Sequence, residues 1–356
     1  MLLPSVVVVI PCRNEINHIE ACLDDVFAQD YPAELLRVIV ADGMSSDGTR
    51  SRLDELALRW PGRLTVIDNL RRRQAAALAE MIDTVVADPA DSATVIMRMD
   101  VHARYACDYV MQCVLVLAET GADNVGGTAT ARATNRFQKI LVLALRSPLA
   151  IGGAKYRTAG HDGYVDTIFP GAFRRDVFSR IGSFDPDAIT NEDAEFNQRI
   201  VAAGGRIFQS PRIVLQYVPR GSLRGLAGQY FTYGQGRART LAKHGRLLNI
   251  RPVLPGLLVG VLGTTVMTQR LHRRTAKAVG GYLFACLAEA VRVGWATPES
   301  DPSQPGIEGV RAVPEPGRAE RVAGIAVIFP VLHLCHGVGL WHGLWRHRRL
   351  LAETLR

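Results

Sequence analysis

The chain is predicted to be an α/β protein: parallel βαβ units in a doubly wound sheet with helices on both faces, followed by apolar C-terminal helices suited to a membrane. Three observations predict it. Over the first hundred residues, short apolar runs rich in β-branched residues alternate with helical patterns of about ten residues or more, as in successive βαβ units. Each apolar run ends in a polar cluster, where open α/β sheets bind ligands. Beyond residue 251, long apolar blocks take over.

The elements follow in order. VVVVI (6–10) reads as a buried strand, HIEACLDDVFAQ (18–29) as an amphipathic helix and LRVIVAD (36–42) as a second strand. A helix over 49–60, a strand over 64–68, a helix over 74–87 and a strand over 93–100 continue the alternation. From 121 to 218 the pattern is Gly-rich and irregular, with short strands expected at VDTIF, RIFQS and VLQYV around a helix beginning at TNED. An Arg-rich helical run over 219–251 precedes apolar blocks at 253–267, 278–295 and 322–345. The expected organisation is therefore a catalytic domain over 1–218, with a nucleotide part (1–120) and an acceptor part (121–218), then an amphipathic interface segment and an apolar region over 252–356. The third block contains no Asp, Glu, Lys or Arg and exceeds the length needed to cross a bilayer. Blocks two and three are expected to form a hairpin, with basic segment 269–277 and the basic tail cytoplasmic and loop 297–320 outward.

Composition narrows the function. The net charge is +8, with the excess after residue 210, which suits phosphate-bearing ligands or an anionic membrane surface. No nucleic-acid-binding signature accompanies the charge. The six cysteines show no CxxC pair and are read as reduced thiols. SVVVVI is too short and lacks the basic leader of a signal peptide. Absence of GxGxxG after the first strand and of GxxxxGK[ST] disfavours dinucleotide redox chemistry and P-loop hydrolysis.

Four clusters stand at the strand ends: PCRNE, ADGMSSDGT, DNLRRR and MDVHARY. In the second, Asp42, Ser45 and Asp47 offer a carboxylate for a uracil N–H and further polar groups, or simply form a turn. In the fourth, Asp100 and His102 are two apart, so strand alternation would aim both at one cation. Arg71, Arg72 and the later GQGRART supply guanidinium groups for a diphosphate, or a solvated basic surface. Thr190 and Asn191 before Glu192 and Asp193 mark a helix start, and the acids could be ordinary first-turn residues or a proton acceptor.

Together VVVVIPCRNE, VIVADGMSSDGT, MRMDVHARY, FPGAFRRDVFSRIGSFDPDAITNEDAEFNQRI and QYFTYGQGRART resemble the family-2 inverting glycosyltransferases, in particular the bacterial exopolysaccharide glucosyltransferases of succinoglycan type. The resemblance covers about residues 4 to 250. It implies an A-type nucleotide-sugar fold and transfer of a single hexose from a UDP-sugar to a lipid-linked glycan. It implies that Pro11, Asn14 and Glu15 contact the nucleotide, that Asp42 binds uracil, and that Asp100 begins the metal motif, with Mn²⁺ or Mg²⁺ as cofactor. Asp193 matches the general base of the ED motif, with Glu192 beside it. Gln229 and Arg237 stand where processive synthases carry QxxRW, which points to single-sugar addition. Ala41 in place of a paired acid, the extra Met44 and His102 in place of an aspartate are departures, and they keep open a catalytically reduced nucleotide-binding or scaffold subunit. A membrane location with the catalytic domain facing the cytoplasm, among other polysaccharide-assembly proteins, completes the expectation.

Overall fold

The computed structural model of the chain describes residues 2–152, 160–267, 272–296 and 313–354. It divides into two compact units, Met1–Thr130 with Lys155–Tyr217, and Ala131–Ala154 with Val218–Arg356.

In the first unit β1 (Ser5–Cys12), β2 (Leu36–Asp42), β3 (Leu64–Asp68) and β4 (Ala93–Arg98) alternate with α1 (Ile19–Phe27), α2 (Thr49–Arg59) and α3 (Gln74–Ala87). All four strands are parallel, with β1 between β2 and β4 and β3 outside β2. Val6, Val8 and Ile10 join the cluster containing Leu23 and Leu53, whereas Val7 and Val9 join the opposite cluster with Leu78 and Ile82. Val6 through Ile10 are each 0% exposed. A strand covered on both faces needs no polar alternation, which is why this run reads as uniformly apolar.

The chain continues through β5 (Ala103–Tyr105), α4 (Tyr109–Thr120), β6 (Asn124–Gly126) and β7 (Ala129–Ala131), then through α5 (Arg136–Leu145) and α6 (Pro148–Ile151) of the second unit. Back in the first unit come β8 (Gly163–Tyr164), β9 (Ala172–Arg174), α7 (Arg175–Ile181), α8 (Glu192–Ala202), β10 (Ile207–Gln209) and β11 (Leu215–Tyr217). The main sheet runs β3-β2-β1-β4-β9-β6-β10-β8, and a small sheet runs β5-β11-β7. Because β9 is antiparallel to both β4 and β6, the sheet is mixed.

Two expectations change here. VDTIF is not a strand. Gly163 and Tyr164 pair with β10 and the Val165 amide adds one bond to the Ile207 carbonyl at 3.0 Å, but residues 167–168 are held instead by Asn197, which is fully buried and donates to Thr167 Oγ1 and to the Ile168 carbonyl, both at 2.9 Å. A side-chain amide satisfies that carbonyl where a ladder would have done so. The second change is at β4, which ends at Arg98 rather than at residue 100. The Asp100 amide turns away to the Tyr105 hydroxyl at 2.7 Å, and the Ala103 amide returns to the Asp100 carbonyl at 3.1 Å. Asp100 and His102 therefore lie in a turn, and strand alternation does not govern where they point.

The second unit contains α5 and α6 with α9 (Leu223–His244), α10 (Leu254–Met267), α11 (His272–Ala296), α12 (Arg318–Arg346) and α13 (Arg348–Thr354). Residues 131–154, assigned from sequence to the acceptor part, cluster here because α5 buries Ile140, Leu141 and Leu143 with Cys286, Ile325 and Phe329. A capping box starts α5: the Gln138 amide donates to Asn135 Oδ1 at 2.9 Å and the Asn135 amide to Gln138 Oε1 at 3.0 Å. Glycines let α12 approach α9 and α10 at backbone distance. A Cβ on Gly339 would stand 2.0 Å from the Phe231 carbonyl oxygen, and one on Gly337 2.2 Å from that of Pro255.

Among the described residues α12 alone is long and apolar enough to cross a membrane. At 1.5 Å per residue its 29 residues span about 44 Å. In α11, the expected hairpin partner, Arg292 donates to Glu289 at 2.6 and 2.7 Å. Loop 297–320 and basic segment 269–277 lie in part outside the described residues, so their expected sides of the membrane find no counterpart here.

Candidate active site

The loops after β1 and β2 interlock through short polar side chains. Asp42, 2% exposed at the end of β2, accepts from the Ser45 hydroxyl at 2.5 Å and from its amide at 3.1 Å. Ser45 Oγ accepts from the Asn14 amide at 2.8 Å, and Asn14 Oδ1 accepts from the Ser46 amide at 2.9 Å. The Glu15 amide donates to Thr49 Oγ1 at 2.7 Å and the Ile16 amide to Asp47 Oδ2 at 3.2 Å. The Thr49 hydroxyl holds the Asp47 carboxyl below its ordinary range. Asn14 and Met44 take positive φ, 56° and 58°, so each loop turns sharply as it leaves its strand. Pro11 lies within β1, opposite Ala41 of β2. Asn14, Glu15, Asp42, Ser45 and Asp47 are thus one preformed rim.

Next to it, β4 ends in a buried cation. Arg98 is 1% exposed, and its guanidinium gathers three carboxylates. Nη1 donates to Asp193 Oδ2 and lies 3.0 Å from Glu192 Oε1, while Nη2 lies 3.3 Å from Asp100 Oδ1. Gln74, the first residue of α3, also reaches Asp100 Oδ1 at 3.4 Å, and Phe169 covers the guanidinium at 4.7 Å. The acids arrive because α8 starts at Glu192, after Asn191 at φ 60° makes the turn. Asn191 occupies the expected N-cap position but forms no side-chain capping bond. The two acids point inward as first-turn residues of a buried helix end.

Burial dominates their electrostatics. Asp193 is 9% exposed, and its removal from water pushes its pKa up to about 7 against the attraction of Arg98, with Glu192 and Asp100 adding to the rise. A helix N-terminus favours the ionised carboxylate, but the dry surroundings outweigh it. One oxygen is engaged by Arg98. The other, Oδ1, is buried and has no hydrogen-bond partner among the described residues.

His102 has different partners. Its Nε2 lies 2.7 Å from Glu15 Oε1, and its ring meets that of His18 edge-on at 5.0 Å between centroids. Asp100 is thus held by Arg98 and Gln74, and His102 by Glu15 and His18. Arg71 pairs with Asp187, in the segment leading to α8, and Arg73 lies 3.9 Å from the same carboxylate. Arg72 adopts φ 55° in the same turn. Gln229 and Arg237 belong to α9 of the second unit, where Gln229 donates to the Tyr233 hydroxyl at 3.0 Å.

Sequence reasoning missed Arg98, His18 and Gln74. A lone arginine inside an apolar strand, two positions before a candidate acid, was the available signal for Arg98, since a buried charge demands partners.

Comparison with known proteins agrees with this geometry. Residues 7–182 match the family model described as glycosyl transferase family 2. The chain is 32% identical over 348 residues, 98% of this chain and 97% of the relative, to the succinoglycan biosynthesis protein ExoA of Rhizobium meliloti. It is 25% identical over 293 residues, 80% of this chain and 86% of the relative, to the dolichyl N-acetyl-alpha-D-glucosaminyl phosphate 3-beta-D-2,3-diacetamido-2,3-dideoxy-beta-D-glucuronosyltransferase of Methanococcus voltae. Mannosyltransferase PcManGT from Pyrobaculum calidifontis, solved with GDP-Man and Mn²⁺, shares the fold at a TM-score of 0.54 and 24% identity, over 79% of this chain and 81% of that one. The mixed sheet, the family model matched over residues 7–182 and the relative matched over nearly the full length lead to one conclusion: this chain belongs to glycosyltransferase family 2 and is a glycosyltransferase.

Proposed function

We propose that the chain transfers one hexose from a UDP-sugar to a lipid-linked glycan at the cytoplasmic face of a membrane, inverting the anomeric centre, with Asp193 as general base. The observation that carries this reading is the buried Asp193 Oδ1, which lacks a partner among the described residues on a carboxyl whose pKa lies near 7. A base poised near neutrality both ionises at working pH and still takes a proton readily. Arg98 fixes the carboxylate by its other oxygen and leaves Oδ1 to accept the acceptor hydroxyl proton. The freed oxygen then attacks the anomeric carbon, the bond to the diphosphate breaks, and the electron pair leaves with the nucleotide.

On the donor side, Asp42 would accept the uracil N–H, with Pro11, Asn14, Glu15, Ser45 and Asp47 lining the nucleotide. Arg71 and Arg72 would offset diphosphate charge. Asp100 and His102 would hold Mn²⁺ or Mg²⁺, and the bound ion would neutralise the leaving group. The described side chains that converge beside His102 are Glu15 and His18, whereas the Asp100 carboxylate is engaged by Arg98 and Gln74. Helix α12 supports a membrane location, and the Rhizobium relative's name supports a role in exopolysaccharide synthesis. The Methanococcus relative, named for a dolichyl-linked substrate, supports a lipid-linked acceptor.

The test is nucleotide release and sugar transfer from a panel of UDP- and GDP-sugars, using membranes that contain the full chain, with product configuration read by NMR. Turnover of a UDP-sugar with inversion is expected. Turnover of GDP-sugars alone would overturn the donor assignment, and near-normal transfer by folded Asp193→Asn would overturn the base.

A further inference from the structure

The carboxyl ends of β1 and β4 lie side by side, with Val9 in register with Arg98 and the Met99 amide donating to the Val9 carbonyl at 3.1 Å. Each strand opens into a loop there, so two loops distant in sequence share one rim. After β1 the chain turns tightly: the amides of His18 and Ile19 both donate to the Glu15 carbonyl at 2.9 Å. This turn brings Glu15 and His18, three residues apart, together. His18 is the N-cap of α1, yet its side chain makes no capping hydrogen bond. The turn after β4 brings His102 to the same place.

One ligand atom from each of Glu15, His18 and His102 lies within 4.8 Å of the other two. Around a single ion with bonds of roughly 2.0–2.2 Å, ligand atoms stand at most about 4 Å apart, so a small side-chain rotation would close the set. An exposed carboxylate–imidazole pair is worth little by itself, and a second imidazole set edge-on adds nothing to that hydrogen bond. A third donor converging on the same point suits an ion better than it suits a surface pair.

We propose that Glu15, His18 and His102 form a site for a first-row transition-metal dication. Two imidazoles with one carboxylate favour Mn²⁺, Co²⁺ or Zn²⁺ over Mg²⁺, which prefers oxygen ligands and holds its waters tightly. Both histidines are exposed and Glu15 is half-buried, so the ion enters from solvent and keeps coordination positions open to water or to the oxygens of a bound phosphate. Asp100 is not needed for this set, because Arg98 and Gln74 already engage its carboxylate. The site rests on the proposed donor chemistry only for what the ion would meet. Occupancy by the metal does not depend on it.

The experiment titrates Co²⁺ into the detergent-solubilised full chain without nucleotide, following visible absorption and thermal midpoint, with Zn²⁺, Mn²⁺ and Mg²⁺ as competitors. Wild type should develop the absorption of imidazole-bound cobalt, displaced by Zn²⁺ and not by excess Mg²⁺. His18→Ala and Glu15→Gln should each weaken binding by about tenfold or more, since even groups behind metal ligands cost that much when removed. Their metal-free midpoints should match wild type, because His18 is exposed and Glu15→Gln keeps the shape of the half-buried side chain. Asp100→Asn should bind as wild type does. No cobalt signal in wild type overturns the site, as does binding lost in Asp100→Asn and kept in His18→Ala. The second result would leave the Asp100–His102 metal pairing and the UDP-sugar assay untouched, so the two readings fail separately.

Discussion

Arg98→Met perturbs the centre of the candidate site, and its consequences can be worked from the geometry. The guanidinium touches Asp193 and lies 3.0 Å from Glu192 and 3.3 Å from Asp100. At an effective dielectric of about 20, one pair at that distance is worth roughly 5 kcal/mol before desolvation is counted. Removing one partner of a buried pair costs about 3–5 kcal/mol, because the other charge stays behind unpaired. For a domain of this size that is a fall of roughly 6–20 °C in thermal midpoint. Chemistry should change with it. Arg98 is what opposes burial at Asp193, so without it the carboxyl pKa moves above its present value of about 7. The acid limb of kcat/KM against pH should shift upward by about one unit or more, each unit costing tenfold in ionised base at low pH. Arg98→Lys keeps the charge and loses the fork, so it should fold and retain the acid limb near its wild-type position while kcat falls. The assay is sugar transfer from pH 5 to 9, alongside thermal unfolding. A folded Arg98→Met enzyme with an unshifted acid limb would refute the assignment of Asp193 as the titrating base.

Four further outcomes are expected. Asp193→Asn should lower kcat by about 10²–10⁴-fold and abolish the acid limb near pH 7, while thermal shift with UDP persists. Because the folded pKa of Asp193 lies above its ordinary value of 3.8, the proton favours the fold. That contribution is complete below about pH 4 and lost as pH rises to about 7, so unfolding curves of wild type and Asp193→Asn should diverge by on the order of a few kcal/mol over that window. Asn197→Ala breaks the bonds to Thr167, Ile168 and Asn124, and denaturant titration should show a loss of about 1–3 kcal/mol. Gly339→Ala already sets a Cβ 2.0 Å from the Phe231 carbonyl oxygen, so limited proteolysis should show α9 separated from α12 in this variant as well as in Gly339→Leu.

The β/α alternation of residues 1–100 was legible because strands buried on both faces form unbroken apolar runs and their helices carry the 3.6-residue period. Asp42, Asn14, Glu15 and Asp193 were legible because strand ends and helix starts are local features. Arg98 was not, since nothing near it in sequence announces that Glu192 and Asp193, some 95 positions away, will meet it. VDTIF has strand composition but loses its ladder to Asn197, a long-range contact that no local pattern encodes. The pairing of His102 with His18 and Glu15 was hidden for the same reason. It needs β1 and β4 to be neighbours and β4 to end early. Helix α5 was not expected from the sequence: it lies in a stretch that reads as irregular and Gly-rich, and the Asn135–Gln138 spacing of a capping box was the available signal.

The excursion of residues 131–154 out of the sheet-bearing unit has a consequence for biosynthesis. Ile140 emerges from the ribosome long before Ile325, which shares its cluster, and at ordinary translation rates the wait is roughly ten to forty seconds. During that interval a nascent chain would display α5 with its apolar residues uncovered. A chain stopped after residue 217 would never cover them. Catalytic halves made by cutting the tail should therefore tend to aggregate, unless the segment between β7 and β8 is removed or resurfaced along with it.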